Sequence, residues 1–311
     1  MKLRPFFLKL FFYLLPITSC LLYLEYKLSG VHNSYNTKRY NLEQQLDSIE
    51  VIALGASHVA FGINPTYFSH RGFNLANMDQ DIYFNYSLLI KYLPRLTHLK
   101  LVVIDADYTM LHYSLENSSE YWRTYYYYKF WGVRSMNWHP LDINNYSLFA
   151  LYSNSTVMEL AKNRFKTNLA QSMHYNGWMK LDTLVNNDKI GEEQGKKRVG
   201  ILNSDMNGDS KKLRKYFELL VSELRAKKIE TEIISMPVLA TCSKYCNKTI
   251  LLEKTLFIDS LCTKYGCHFT NYFNDPRFVT ADFNDNDHLN FIGARKFSRI
   301  LDSDIIKPIH N

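Results

Sequence analysis

The chain has 311 residues, of which 46% are hydrophobic and 22% are charged, and its formal net charge is +7. This composition supports a packed core and excludes a disordered chain. The length allows a membrane segment with one α/β domain, or two small domains. The basic residues are scattered in short groups such as Lys196–Arg198 and form no continuous stripe beside a reader motif. We therefore expect no nucleic-acid partner.

The N-terminal segment predicts a membrane anchor at residues 1–28. Pro5 to Leu24 is apolar apart from Lys9 and a few small polar residues, and about 20 apolar residues suffice for a span. The basic flank Met1–Arg4 favours a cytoplasmic N-terminus, so the rest of the chain would be periplasmic or extracellular in a bacterium. A lipoprotein acylated at Cys20 ranks second, and a cleaved signal peptide ranks third.

After a polar stretch at 29–48, interpreted as a linker, strands and helices alternate. Such alternation predicts an α/β domain at 49–311 with a parallel sheet flanked by helices on both faces. The predicted strands are 51–54, 72–75, 99–105, 229–236 and 268–269, and the predicted helices are 81–93, 210–227, 250–264 and 290–301.

Residues 108–195 break this alternation and are too long for a plain connection, so we interpret them as an insertion or cap, with one helix around 153–166. They contain a run of aromatic side chains at Tyr121–Trp131. A local hydrophobic cluster is the favoured interpretation of this run. The alternatives are a platform for sugar rings and a surface that rests on the membrane.

Four of the five cysteines fall within one short region of the exported domain: Cys242, Cys246, Cys262 and Cys267. An even number in that setting predicts two disulfides, whose pairing the sequence does not give. A zinc site is the rival interpretation, although no histidine pair has matching spacing. Free thiols are the third interpretation, which applies if the domain is cytoplasmic.

The first candidate catalytic residue is Ser57, which follows the apolar strand Val51–Leu54 through Gly55 and Ala56. A serine in this position would lie at the carboxyl edge of a parallel sheet, where open α/β folds bind their ligands. A serine can also cap the helix that follows it. The motif is not the Gly-x-Ser-x-Gly elbow of α/β-hydrolases, because Val59 occupies the position of the second glycine.

The second candidate group is Asp285 and His288, which lie three residues apart near the C-terminus. An imidazole can take the proton of a serine hydroxyl, and a carboxylate can hold the imidazole in the required tautomer. Asp287 and Asp282 are rivals for the orienting role. A polar loop that begins the final helix, or a calcium loop, is the structural alternative.

Four other histidines, His58, His70, His98 and His112, have no evident partner in the sequence and are interpreted as structural or solvated. We predict no metal site and no cofactor.

These two segments resemble a known family. Gly55-Ala56-Ser57-His58 resembles the first block of the GDSL/SGNH hydrolases, and Asp285-Asn286-Asp287-His288-Leu289-Asn290 resembles their last block. The resemblance implies an SGNH-like three-layer fold, with Ser57 as nucleophile, His288 as base and Asp285 as its orienting carboxylate.

The resemblance also implies an oxyanion hole made by the backbone N–H of Ser57, a glycine after the second strand and an asparagine after the third. The chain departs at both later blocks. No glycine follows Asn74-Leu75, and Asp105-Ala106-Asp107 replaces the Gly-x-Asn-Asp block. Asn77 or a backbone amide would have to substitute, since the loss of one donor costs a factor of about 100–1,000 in rate.

These departures resemble a membrane-anchored branch of SGNH proteins that modify cell-surface polysaccharides beside a multi-span acyltransferase. The resulting expectation is a serine esterase or O-acyltransferase that acts on acyl esters of glycans, with acetyl as the expected acyl group. A catalytically weak or inactive scaffold that binds a glycan or the acyltransferase is the alternative. A lipid esterase is a third candidate.

Overall fold

The computed structural model describes residues 3–167, 169, 172–181 and 190–309. Its centre is a five-stranded sheet in which every neighbouring pair is parallel, with the order β2-β1-β3-β4-β5. The strands are β1 (Val51–Leu54), β2 (Gly72–Asn74), β3 (Leu101–Asp105), β4 (Glu230–Ser235) and β5 (His268–Asn271). The predicted α/β fold with a parallel sheet is therefore confirmed.

Twelve α-helices are described along the chain. They are α1 (Leu3–Ser29), α2 (Ser34–Glu43), α3 (Ser57–Gly62), α4 (Ile82–Tyr92), α5 (Arg123–Tyr126), α6 (Leu148–Leu151), α7 (Asn154–Lys162), α8 (Glu192–Ser204), α9 (Ser210–Ala226), α10 (Ala240–Ser243), α11 (Lys248–Tyr265) and α12 (Phe291–Leu301).

Both faces of the sheet are covered, which explains why the strands are continuous apolar runs. Alternate residues of β1 point to opposite faces: Ile52 and Leu54 pack into one apolar cluster, and Val51 and Ala53 pack into another. The first cluster includes residues of α4, α9 and α11, and the second includes residues of α3 and α12.

Helix α1 is the only segment of the described residues that is long and apolar enough to cross a membrane. The side chains from Arg4 to Tyr23 are exposed to solvent, including Phe11, Phe12 and Leu22. The far end of the helix is different, because Leu28 is fully buried in the core of the domain. One continuous helix thus links the exposed apolar segment Arg4–Tyr23 to the packed domain.

The stretch 29–48, interpreted as a polar linker, is packed instead of extended. It contains α2, whose Tyr35, Lys38 and Leu42 are buried. Lys38 is fully buried, its ammonium donates to the carbonyl oxygen of Ala76, and burial lowers its pKa to about 7. A lysine is almost never fully buried unless its ammonium is paired, as that of Lys38 is here. The polar sequence of this stretch therefore did not indicate that it packs against the domain.

The aromatic run at 121–131 is part of the core. Tyr126, Tyr127, Phe130 and Trp131 are buried in the same cluster as Leu28 and Tyr35. The favoured interpretation of this run as a hydrophobic cluster is therefore confirmed for these four rings. Further along the chain, the backbone carbonyl of Asn176 accepts a hydrogen bond of 2.8 Å from the N–H of Asn74 on the edge strand β2. Residues 182–189 lie outside the described residues, so a cap over 108–195 stays a prediction, as do the domain limits.

The predicted disulfides are absent, because all five cysteines are free thiols in the structure. Their arrangement is still pairwise. Cys262 Sγ lies 3.0 Å from Cys267 Sγ, and Cys242 and Cys246 are buried together beside Val199 and Phe273. The two pairs are those nearest in sequence, four and five positions apart.

Candidate active site

The candidate site lies where the strand order reverses, between β1 and β3. Ligands of open α/β sheets bind at this switch point, beyond the carboxyl ends of the strands. The chain leaves β1 through Gly55 and enters α3 at Ser57. A Cβ atom at Gly55 would lie 2.5 Å from Val59 Cγ2 and 3.0 Å from Asp105 Cβ, so only glycine permits this close turn. Ser57 does not cap the helix, because Ala56 is the N-cap residue.

A buried hydrogen-bond network fixes the turn before the serine. Gly55 N donates to Asn85 Oδ1 at 2.9 Å, and Gln80 Nε2 donates to the same oxygen at 2.7 Å. Tyr127 Oη in turn donates to Gln80 Oε1 at 2.8 Å. The aromatic run therefore supports the turn before the candidate nucleophile from within the core.

Ser57, His288 and Asp285 meet in a hydrogen-bonded triad. His288 Nε2 lies 2.8 Å from Ser57 Oγ, and His288 Nδ1 lies 3.0 and 3.1 Å from the two carboxylate oxygens of Asp285. Asp285 Oδ1 also accepts from the backbone N–H of His288 at 2.8 Å. Burial alone would raise the pKa of Asp285, but its bond to His288 and the charge of that ring lower it. The carboxylate is thus ionised and positioned to orient the imidazole.

The two other candidate carboxylates, Asp282 and Asp287, make different contacts. Asp282 accepts from Lys296 Nζ at 2.7 Å and does not serve the ring. Asp287 is buried and lies behind the imidazole, with Oδ1 at 3.4 Å from His288 Nδ1. The shorter and bidentate contact makes Asp285 the orienting partner, and Asp287 a second carboxylate in contact with the same ring.

Two cations hold Asp287. Its Oδ2 accepts from Arg198 Nε at 2.7 Å and lies 3.1 Å from His58 Nε2. Burial would raise the pKa of Asp287, but the charges of His288 and Arg198 and the bond to His58 hold it well below the usual range. His58, for which the sequence showed no partner, is therefore paired with Asp287. Arg198 comes from α8, which the sequence showed only as a polar run.

His58 is enclosed by carboxylates. Burial would lower its pKa, but the bond to Asp287 and the charges of Asp287, Asp105 and Asp107 raise it to about 9. Ligand-type atoms of His58, Asp105 and Asp107 lie within 4.8 Å of one another, as do those of His58, Asp287 and His288. These are the described residues that could hold a metal. His58 is already paired with Asp287, and we interpret the group as an ion-pair network.

The oxyanion side of the site is less complete. Leu75 N donates to Ala53 O at 2.9 Å, and this register brings Asn77 to the carboxyl edge beside the turn before Ser57. Asn77 Oδ1 accepts from Met78 N at 3.0 Å. No bond to another described residue is made by its Nδ2, which leaves this amide available as a donor. The oxyanion roles of Asn77 and of the Ser57 N–H stay predictions.

Asp105 occupies the place of the third block at the end of β3. One of its oxygens accepts from Met236 N at 3.3 Å, while Oδ2 is buried without a partner among the described residues. Burial and the nearby charge of Asp107 raise its pKa to about 7. With a pKa of about 7 this carboxyl is roughly half ionised at neutral pH, so its repulsion of an oxyanion is reduced but not removed.

Comparisons with solved structures find similar folds at low identity. A "putative acylhydrolase" from Bacteroides fragilis NCTC 9343 is 11% identical, with a TM-score of 0.43 over 89% of this chain and 98% of that chain. A GDSL-like lipase from Bacteroides thetaiotaomicron VPI-5482 is 11% identical, with a TM-score of 0.41 over 88% of this chain and 99% of that chain. No family model and no curated protein matches this chain.

At TM-scores below 0.5 these similarities carry no argument about function. The site is defined by its own geometry. The chain has an α/β fold with a five-stranded parallel sheet, and Ser57, His288 and Asp285 are hydrogen-bonded to one another at the carboxyl edge of that sheet.

Proposed function

We propose that the protein is a membrane-anchored serine esterase or O-acyltransferase that acts on acyl esters of cell-surface glycans. The observation that carries this proposal is the single imidazole that bridges Ser57 Oγ and the carboxylate of Asp285. A hydroxyl becomes a useful nucleophile when a base takes its proton, and this arrangement supplies the base and its orienting group.

The proposed reaction proceeds through an acyl-serine. Ser57 Oγ attacks the carbonyl carbon of the ester while His288 Nε2 takes the hydroxyl proton. The negative oxygen that forms is bound by the N–H of Ser57 and by Asn77 Nδ2. Collapse of this intermediate expels the sugar alkoxide, which takes the proton from His288. A water molecule, or the hydroxyl of an acceptor, then attacks the acyl-serine with His288 again as base. The bond to Ser57 Oγ breaks, the acid or the new ester leaves, and His288 returns the proton to Ser57 Oγ.

The exported glycan substrate, the acetyl group and a multi-span acyltransferase partner come from the resemblance and are part of the proposal. The apolar helix α1 supports the membrane anchor by its length and composition. A scaffold that has lost catalysis is the second candidate, and the absence of the Gly-x-Asn-Asp block after β3 favours it.

The experiment that tests the proposal is labelling of the full-length protein in detergent with a fluorophosphonate probe. We expect a covalent adduct on Ser57 and no adduct in Ser57→Ala or His288→Ala. Ser69→Ala is a matched control, because this serine lies outside the triad and bonds to Asp302. Folded protein that shows no adduct would favour the scaffold.

Activity on phospholipid but not on acetylated polysaccharide would contradict the glycan substrate.

A further inference from the structure

The place where α1 leaves the proposed membrane span is fixed by one side chain, Glu25. The apolar stretch from Pro5 to Leu24 is 20 residues long, and at 1.5 Å per residue it spans about 30 Å, the thickness of a bilayer core. Glu25 therefore comes directly at the lipid–water boundary if α1 crosses the membrane.

Glu25 is bound tightly to a second part of the chain. Its carboxylate accepts from the backbone N–H groups of Leu148 and Phe149 at 2.6 and 3.1 Å, and from Ser147 Oγ at 3.2 Å. Lys129 Nζ lies 3.1 Å from the same carboxylate. The start of α6 is thereby held at the level of Glu25, and it must lie at the boundary too.

The residues just before and within α6 expose apolar side chains. The exposed fractions are 85% for Leu141, 68% for Ile143, 48% for Tyr146 and 39% for Phe149. Four such side chains within one short segment are unusual on a soluble surface and mark a contact with lipid or protein. Tyrosine and phenylalanine next to aliphatic tips are typical of the membrane interface.

Internal hydrogen bonds hold this segment in shape. Tyr146 Oη donates to Pro140 O at 3.0 Å, and Asn145 Nδ2 donates to His139 O at 2.8 Å. Lys129 Nζ also donates to Tyr146 O at 2.7 Å, next to its contact with Glu25. The exposed apolar tips are therefore part of a preformed loop that is joined to the end of α1.

We propose that residues 141–149 form a second membrane contact, which lies in the headgroup region of the same bilayer that α1 crosses. The inference depends on the membrane anchor of the proposed function. Continuity with α1 through Glu25 identifies a lipid surface as the occupant. The contact would fix the orientation of the α/β domain relative to the membrane, so that Ser57 works at a set height above the lipid.

The test is photo-crosslinking of the full-length protein in vesicles of phosphatidylethanolamine and phosphatidylglycerol. Three variants carry p-benzoylphenylalanine in place of Leu141, Phe12 or Leu256. Phe12 reports on α1 itself. Leu256 on α11 is a matched control, because it is a leucine that is 60% exposed on another surface. We expect lipid adducts at Leu141 and Phe12, and at most a tenth of that yield at Leu256.

Each contrary result has a distinct meaning. Adducts at Phe12 without adducts at Leu141 would overturn the second contact and leave the anchor in place. Adducts at neither position would overturn the anchor as well, while the fluorophosphonate result at Ser57 would be unaffected. Equal adducts at Leu141 and Leu256 would show unspecific contact and also overturn the proposal.

A further variant tests the role of Glu25. Glu25→Ala removes the bonds to α6, and we expect a several-fold loss of adducts at Leu141 with unchanged adducts at Phe12. Unchanged adducts at both positions would contradict the orienting role of Glu25.

Discussion

The two sides of the candidate site are built differently. On the acid–base side, Ser57, His288 and Asp285 bond directly to one another, and Asp287 is enclosed by His58 and Arg198 behind them. On the oxyanion side, Asn77 offers one amide, and Asp107 stands where the resemblance implies an asparagine. In the proposed reaction, proton transfer would therefore be preorganised, while stabilisation of the oxyanion would depend on few donors.

The largest effect should come from the centre of the acid–base side. Ser57→Ala or His288→Ala should lower kcat on an aryl acetate by about 10⁴-fold or more, because each removes the attack itself. Since the two groups act as a unit, the double variant should be no worse than either single one. The check is steady-state kinetics of all three. A double variant that loses the product of the two factors would show that they act independently.

The two carboxylates behind His288 should differ in importance. Asp285→Asn should cost about 10⁴-fold in kcat, because the imidazole would take the wrong tautomer. Asp287→Asn should cost about 100-fold at most, because it disturbs only the position of the ring. Kinetics of the two variants, with circular dichroism to confirm folding, decide the matter. The reverse order would make Asp287 the orienting residue.

The oxyanion side should show a smaller and more selective loss. Asn77→Ala should lower kcat by about 100–1,000-fold with little change in KM, because the donor acts on charge that forms in the transition state. Met78→Ala is a control from the same turn. A kcat within a factor of about two of wild type would exclude Asn77 from the oxyanion hole and leave backbone amides as donors.

The smallest effect concerns the ion pair between His58 and Asp287. The pKa of His58 is raised to about 9 in the folded protein, against about 6.5 for an unperturbed histidine. The protonated ring therefore stabilises the fold fully below pH 6.5, and this contribution is lost as pH rises through 9. We expect it to amount to roughly 1–3 kcal/mol.

His58→Gln should abolish that pH dependence. Urea unfolding at several pH values from neutral to alkaline measures it. His98→Gln is the control, because among the described residues the side chain of His98 bonds only to the exposed Thr97. Parallel stability curves for wild type and His58→Gln across this range would contradict a charged His58.

Local signals made the strands and the triad predictable. The apolar runs before Gly55 and Asp105 gave β1 and β3, and an aspartate three residues before a histidine can reach its Nδ1 from the same loop. Such patterns need only neighbouring residues. The parallel sheet then brings the two ends of the chain together at one edge.

The remaining parts depend on contacts that no local pattern shows. His58 and Asp287 are 229 positions apart. Arg198 lies on α8, whose sequence is mostly polar, so no apolar periodicity predicted this helix. The helix is held instead by close packing of Gly195 against the backbone of Thr241. Lys38 was missed because a buried lysine contradicts the usual association between charge and exposure.

The contact between Lys38 and Ala76 has a practical consequence for the preparation of a fragment that lacks the exposed apolar part of α1. A fragment that starts at the first strand would leave the Ala76 carbonyl, next to Asn77, without its ammonium donor. It would also open the core where Leu28, Val31 and Leu42 are fully buried. The cut therefore belongs within α1, directly after Leu24, so that Glu25 and Leu28 are both kept.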